Sequence, residues 1–216
     1  MDKDTDKDTD KDTDKDTDTD KNKKYTVLSI LRTNALTILV LAAFSTLLTE
    51  GSVIHAVFGI MVIYAWVYFI HRGLHLFPTS GPFAHFNPHV FFHHQHDKTI
   101  DRRLELAMES VNDMGMSLSL IAVQKLVGIT LVPTSIIVFY GILYMSVHIF
   151  NYSVVGNPTH RNHHRNMYTN YGPDTLDHIF GTSFDGELED LTPITLNAVV
   201  AVPLTLGLKA FFQWSD

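Results

Sequence analysis

Histidine is the residue type in this chain with the greatest capacity for chemistry. The 216 residues include thirteen histidines and no cysteine. The lack of cysteine excludes disulfides, iron–sulfur clusters and thiolate-ligated haem or zinc, because each of these needs a sulfur ligand. Imidazole nitrogens bind iron, zinc and copper. The composition therefore favours metal chemistry, and the spacing of the histidines decides how many metal ions the chain could hold.

The candidate ligands fall into three groups. The first group is His71 and His75, four residues apart and so on one face of a helix. The third group follows an apolar stretch and consists of His160, His163 and His164, with His148 upstream inside that stretch. Together with the second group, these imidazoles exceed the roughly three to five ligands of one metal ion. The sequence therefore predicts two metal ions.

The second group allows two ligand registers. His89, His93 and His96 are spaced four and three residues apart along one face of an α-helix, with Asp97 adjacent. His89, His93 and His94 form the alternative. We favour the register with His96, because α-helical geometry turns His94 away from His93 by about 100°.

Four apolar stretches must position these histidines: 34–48, 53–70, 114–132 and 133–150. Each approaches the roughly 20 residues needed to cross a bilayer. Short connections at 49–52 and 132–134 join them into two antiparallel hairpins. A fifth stretch, 194–214, contains Pro203 and Lys209 and could span the membrane, re-enter it or lie at its surface. We therefore predict an all-α, multi-pass transmembrane bundle of about four spanning helices in two hairpins.

The topology places the three histidine groups on one side of this bundle and both hairpin tips on the other. Basic residues concentrate on the histidine side, namely Lys21, Lys23, Lys24, Arg32, Arg72, Lys98, Arg102, Arg103, Arg161 and Arg165. By the positive-inside rule, that side faces the cytosol. We predict an integral membrane protein with a cytosolic, histidine-rich metal cap.

Residues 1–24 differ from the rest of the chain. They repeat Asp, Lys and Thr with almost no apolar residue, so they cannot bury a core and are predicted to be a disordered tail. Residues 25–216 form the membrane-embedded domain. The formal net charge is -7, and no basic surface is evident, so nucleic acid is not a predicted partner.

The motifs resemble those of the fatty acid hydroxylase / sterol desaturase superfamily. The His-x-x-x-His motif at 71–75 is followed by a second histidine box and by His-x-x-His-His at 160–164. The most specific part is the ending: His148-Ile-Phe-Asn151, Asn157-Pro158-Thr-His160-Arg161-Asn-His163-His164, Asn170-Tyr171-Gly172 and Asp177-His178-Ile179-Phe180-Gly181-Thr182. The resemblance covers residues 53 to about 184.

This resemblance implies a membrane-bound, non-haem di-iron oxidoreductase that hydroxylates or desaturates a lipid with O2. Its cofactors would be two Fe2+ ions, replaced by zinc in some overexpressed preparations. The substrate would be a fatty acyl, sphingolipid or sterol chain, and the sterol case includes C-4 methyl oxidation. An external donor such as cytochrome b5 or ferredoxin would supply electrons. The membrane would be the endoplasmic reticulum in a eukaryote or the inner membrane in a bacterium.

The chain departs from the family in its second box. The family has a final histidine where this chain has Asp97, a carboxylate that can also bind iron. A non-catalytic, metal-binding member of the family is therefore one alternative. A membrane metal transporter is another, but it should carry polar or acidic residues through the middle of its helices, whereas 53–70 and 133–150 have no charged residue. Glu105, Glu109 and Asp113 are interpreted as the solvated face of an amphipathic helix, with an extra carboxylate ligand as the alternative.

Overall fold

The computed structural model describes residues 26–77, 87–94, 101–184, 186 and 188–216, and every regular element within these ranges is helical. The predicted all-α class is confirmed. The predicted tail, 1–24, lies outside the described residues. The α-helices are α1 (Val27–Thr33), α2 (Ala35–Leu48), α3 (Val53–Leu76), α4 (Arg102–Val127), α5 (Thr134–Ser146), α6 (Pro158–Arg165), α7 (Asp174–Phe180) and α8 (Ile194–Phe212). Two segments are π-helical: π1 (His89–His94) and π2 (Val147–Val154).

Among the described residues, three helices are long and apolar enough to cross a membrane. They are α3, the continuous helix Thr134–Val154 formed by α5 and π2, and α8. Their length and composition indicate a membrane protein. The α2 helix is also apolar, but it has only 14 residues. The fifth apolar stretch, which the sequence left open, forms α8 as a single helix through Pro203.

The α4 helix differs from the spanning segment expected over 114–132. It begins at Arg102 and ends at Val127, so its first half carries charged residues, and it is not among the three helices that qualify by length and composition. Asp101 caps its start by accepting hydrogen bonds from the backbone N–H groups of Arg103 and Leu104. Gly128 ends it with a φ of 70°, a left-handed conformation that glycine adopts without a steric cost.

Asn34, the first residue of the first apolar stretch, ends α1 and precedes α2. The Asn34 side chain accepts a hydrogen bond from Leu191 N at 3.2 Å, and Thr37 Oγ1 donates to Leu191 O at 2.9 Å. These contacts attach the segment before α8 to the start of α2. The same segment carries Glu189, whose side-chain contacts are described below.

The α5 helix lies at the centre of the bundle. Its residues from Ser135 to Leu143 are all buried, and it packs against α3, α4 and α8. The approach to α4 is close at Gly141, where a Cβ atom would lie 3.2 Å from Met114 Sδ and 3.3 Å from Ser117 Cβ. Because α5 continues directly into π2, this packing fixes His148 relative to α4.

Asp216 joins α5 to α8 at the end of the bundle away from the histidines. Its carboxylate accepts hydrogen bonds from Ser135 N at 2.7 Å and Ser135 Oγ at 2.6 Å, and it pairs with Lys209 Nζ at 2.7 Å. Ser135 lies in the first turn of α5, where backbone N–H groups lack partners within the helix and favour negative charge. At the other end, Asn197 of α8 donates to Asn151 of π2 at 2.7 Å. The α8 helix therefore runs the length of the bundle.

Candidate metal centre

Four elements bring nine histidines into one contiguous cluster. The α3 helix ends with His71 and His75 just where it leaves the apolar bundle, and π1, π2 and α6 supply the rest: His89, His93, His94, His148, His160, His163 and His164. Seven of the nine are buried, and His160 and His164 are partly buried. The other two predicted ligands, His96 and Asp97, lie outside the described residues.

The first cluster consists of His71, His75, His89 and His163, whose candidate ligand atoms all lie within 4.8 Å of one another. His71 Nε2 is 2.9 Å from His89 Nε2 and 3.1 Å from His75 Nε2. His94 adjoins this cluster, with its Nε2 atom 3.2 Å from His89 Nε2. All these side chains are buried. The first cluster could hold a metal ion.

The second cluster consists of His93, His148 and His160, again with candidate ligand atoms within 4.8 Å of one another. His164 adjoins it, because His164 Nε2 is 3.0 Å from His93 Nε2 and 2.9 Å from His160 Nε2. This cluster could also hold a metal ion. The two clusters contact each other through His94 and His164, whose rings stack with centroids 4.6 Å apart.

The π-helical winding of π1 brings His94 into the site. In a π-helix the backbone hydrogen bonds join residues five apart, so His89 and His94 lie on the same side. The expected orientation of His94, turned away from the ligands, assumed α-helical winding and does not hold for this segment. Because His96 lies outside the described residues, the choice between the two registers stays a prediction.

Backbone carbonyls orient two ligands of the first cluster. His71 Nδ1 donates to the Tyr171 carbonyl, and His163 Nδ1 donates to the Thr169 carbonyl. Both acceptors lie between α6 and α7, in the stretch whose Asn-Tyr-Gly motif the sequence singled out. Asp177 fixes that stretch by accepting from the N–H groups of Tyr171 at 3.0 Å and Gly172 at 2.7 Å. These bonds set the tautomer of His71 and His163 and leave each Nε2 as an acceptor.

Buried carboxylates orient two ligands of the second cluster. Glu109 Oε1 lies 2.6 Å from His93 Nδ1, and Asp113 Oδ2 lies 2.7 Å from His148 Nδ1. Glu109 is 3 % exposed and Asp113 is fully buried. Carboxylates in this position fix the ring orientation of a ligand and make it a stronger donor.

The interpretation of Glu109 and Asp113 as part of a solvated face is therefore wrong. The α4 helix turns both inward, and the same buried stripe continues through Met116, Leu120 and Gln124. Met116 and Leu120 are apolar and follow at helical spacing, so the sequence alone contained a signal that Glu109 and Asp113 face the interior. Glu105 behaves differently, because it pairs with Arg102 at 2.8 Å and is partly exposed.

The protonation states of His89, His93 and His163 suit a cation. Burial, followed by neighbouring histidines, lowers the pKa of His89 and His93 well below the usual range, and burial also lowers the pKa of His163. Neutral imidazole is the form that binds metal ions. His71 and His163 both direct an unprotonated Nε2 into the first cluster, and a cation between the two lone pairs would be favourable. His163 Nε2 is buried without a hydrogen-bond partner in the part of the chain that the structure describes. The donor set therefore fits a bound metal ion.

Two described histidines stay outside the cluster. His55 lies at the start of α3, at the opposite end of that helix from His71, with its Nδ1 atom 2.9 Å from Ser52 Oγ. His178 lies in α7 and pairs with Asp174 at 3.3 Å. Asn151, which the resemblance placed beside His148, contacts Asn197 of α8.

The fold and the site together define a helical protein with membrane-length helices and a buried, two-part histidine cluster able to hold metal. Comparison of the chain with protein-family models, with curated proteins and with solved structures gave no match.

Proposed function

We propose that this chain is a membrane-bound, non-haem di-iron oxidoreductase that hydroxylates or desaturates a lipid with O2. The observation that carries the proposal is the pair of adjoining histidine clusters, each with at least three convergent ligand atoms. A single metal ion takes about three to five such ligands, so nine imidazoles divided between two clusters suit two ions.

Both clusters have imidazole donors, which suit iron, copper or zinc. When bound, two ferrous ions would supply O2 reduction and C–H oxidation, chemistry that the side chains cannot perform alone. His71, His75, His89, His163 and His94 would hold one ion. The other would be held by His93, His148, His160 and His164.

The remaining residues of the site hold the ligands and exclude water. The carbonyls of Tyr171 and Thr169 and the carboxylates of Glu109 and Asp113 keep four Nδ1 atoms protonated, so that each Nε2 faces its cluster. Aromatic rings close the site on two sides: Tyr171 packs 5.5 Å from His75, and the Tyr152 and His160 rings stack with centroids 5.2 Å apart. A dry site protects the reaction from competing hydrolysis and proton leakage.

The position of the clusters supports a lipid substrate. They lie at one end of α3 and of Thr134–Val154, two helices that qualify as membrane spans. We propose that the α2–α3 and α4–α5 hairpins form a four-helix frame with the clusters as its cytosolic cap. The second half of α4 supports this frame, because it packs along α5 and exposes Leu118, Leu126 and Val127. A lipid chain lying between such helices could reach the metal ions from the bilayer.

The family resemblance supports the same class of reaction and an external electron donor such as cytochrome b5 or ferredoxin. The second histidine box leans towards fatty acyl or sphingolipid hydroxylation. The ending, Asn-Tyr-Gly followed by Phe-Gly-Thr, leans towards sterol oxidation or desaturation. Either substrate is a lipid, so the proposal is stated at that level.

Lipid profiling of cells that express the chain tests the proposal. The wild type should accumulate lipids that carry one added oxygen atom or one added double bond, whereas His163→Ala should not. His55→Ala is the matched control, because it removes an exposed histidine from the far end of α3. Purified wild-type protein reconstituted with ferrous iron should hold two iron ions per chain. One ion or fewer, or lipids unchanged by the wild type, would contradict the proposal.

A further inference from the structure

Glu189 lies outside every motif that the sequence analysis singled out, yet its carboxylate joins two elements of the metal centre. Its Oε2 atom accepts a hydrogen bond from Tyr152 Oη at 2.9 Å. Its Oε1 atom accepts one from Asn157 Nδ2 at 2.8 Å. Tyr152 belongs to π2, and Asn157 precedes α6, so one side chain connects these two elements.

The Tyr152 contact acts on the second cluster from one side. Tyr152 is four residues after His148 on π2, and its ring stacks on His160 at an interplanar angle of 22°. The same ring lies edge-on to His148, with centroids 6.1 Å apart. A fixed Tyr152 hydroxyl therefore holds an aromatic surface against two of the three histidines that define the second cluster, His148 and His160.

The Asn157 contact acts on the same cluster from the other side. Asn157 Oδ1 caps α6 by accepting from Thr159 N at 2.7 Å and His160 N at 3.3 Å. Glu189 fixes the amide of Asn157 with its oxygen towards these N–H groups, because the amide nitrogen must face the carboxylate. The cap stabilises the turn that carries His160.

Glu189 is itself held in place. Its backbone N–H donates to Asp174 Oδ2 of α7 at 3.2 Å. Two residues later, Leu191 is bonded to Asn34 and Thr37 at the start of α2. Hydrogen bonds to α7 and to the start of α2 therefore hold the backbone that carries the Glu189 carboxylate, and both helices lie outside the metal centre.

We propose that Glu189 is a positioning residue that sets the spacing of π2 and α6 and thereby the affinity of the second cluster for its metal ion. This inference rests on the proposed two-metal function. Loss of the carboxylate would leave Tyr152 Oη and Asn157 Nδ2 without their acceptor, so His160 would move relative to His148. The first cluster draws no ligand from π2, and three of its four histidines, His71, His75 and His89, lie on neither π2 nor α6. The fourth, His163, lies on α6, but its Nδ1 atom is also held by the Thr169 carbonyl. The affinity of the first cluster should therefore change less than that of the second.

Metal binding by purified full-length protein tests the inference. Ferrous iron and, separately, zinc are titrated into wild type, Glu189→Ala, Glu189→Gln and the control Asp190→Ala. Asp190 is the adjacent acidic residue, but it is exposed and accepts a hydrogen bond from Thr192 N, so the control removes a neighbouring carboxylate that does not bridge π2 and α6. Glu189→Ala should bind the second ion up to about 10-fold more weakly. This is the low end of the range for a partner that contacts a metal ligand directly, because Glu189 acts through Tyr152 and Asn157. Glu189→Gln should restore the second ion, because its amide can accept from Asn157 and donate to Tyr152.

Two variants, each with one cluster disabled, show which cluster binds its ion more weakly when Glu189 is replaced. In His75→Ala, which disables the first cluster, adding Glu189→Ala should weaken binding of the remaining ion by that factor. In His148→Ala, which disables the second cluster, adding Glu189→Ala should leave the remaining ion in place. Equal weakening in both variants would mean general destabilisation and would overturn the inference, as would wild-type affinity for both ions in Glu189→Ala.

Hydrogen exchange of the metal-free proteins separates failure of the inference from failure of the proposed function. Peptides covering α6 should exchange faster in Glu189→Ala than in the wild type and Asp190→Ala. If the wild type binds fewer than two ions, the proposed function fails, and this exchange still decides whether Glu189 positions α6. Unchanged exchange would overturn the inference.

Discussion

Replacement of Asp113 should weaken the second metal site without removing a ligand. Asp113 is fully buried, and its Oδ2 atom lies 2.7 Å from His148 Nδ1. A hydrogen bond to a charged group contributes about 1.5–3 kcal/mol. Loss of an outer partner of a metal ligand costs about 10- to 100-fold in affinity, or about 1.4–2.8 kcal/mol. The two estimates agree, so we expect an effect of that size.

Two substitutions of Asp113 separate the charge from the hydrogen bond. Asp113→Asn keeps an oxygen that can accept from His148 Nδ1–H, so it should lie near the 10-fold end of the range. Asp113→Ala leaves that N–H group buried without an acceptor and should lie near the 100-fold end.

The assay is chelator competition against purified, zinc-loaded protein in detergent, with the metal retained per chain measured at each chelator concentration. Glu105→Gln is the matched control, because Glu105 lies on the same helix but pairs with Arg102 and is partly exposed. The control should retain both ions as the wild type does. Wild-type retention by Asp113→Ala would refute the idea that Asp113 orients His148, and so would equal loss of both ions.

Three further predictions concern topology, stability and pH. Cysteines placed at Leu131 and at Val155, both exposed in a chain without native cysteine, should be labelled from opposite sides of the membrane. Asp216→Ala should lower the stability of the bundle by about 1–2 kcal/mol, because the start of α5 loses its cap. The metal-free protein should lose stability between pH 7.5 and pH 5.5. Burial lowers the pKa of His89 in the folded chain, so the unfolded chain takes up more protons as the pH falls through its ordinary pKa, near 6.5.

Each of these predictions has a direct measurement. Membrane-impermeant labelling of sealed vesicles tests the topology, and labelling of both cysteines from one side would contradict the four-helix frame. Thermal unfolding in detergent tests the other two. An unchanged midpoint in Asp216→Ala would show that the contact with Ser135 contributes little. A midpoint independent of pH would show that the buried imidazoles are not neutral in the metal-free fold.

The helical class could be predicted from the sequence because long uncharged stretches leave few alternatives to buried or membrane helices. The extent of α4 could not. Its start depends on the cap that Asp101 provides, and its charged half stays helical because Glu109 and Asp113 find buried partners. A hydropathy pattern treats these carboxylates as solvent-exposed, since it has no knowledge of the histidines that they face. The apolar residues Met116 and Leu120 on the same face indicate that this face is buried, but the partners of Glu109 and Asp113 become evident only once π1 and π2 pack against α4.

The division of ligands between the two clusters depends on backbone winding, which histidine spacing does not specify. On an α-helix, His89 and His93 would share a face and serve one ion. In π1, His89 lies 3.2 Å from His94 through their Nε2 atoms, whereas His93 turns to Glu109 and the second cluster. π-Helical segments are rare and occur frequently at functional sites. Here the second such segment, π2, carries His148. The sequence therefore indicates which residue types could bind a metal ion, while the winding of π1 determines which cluster each of its histidines joins.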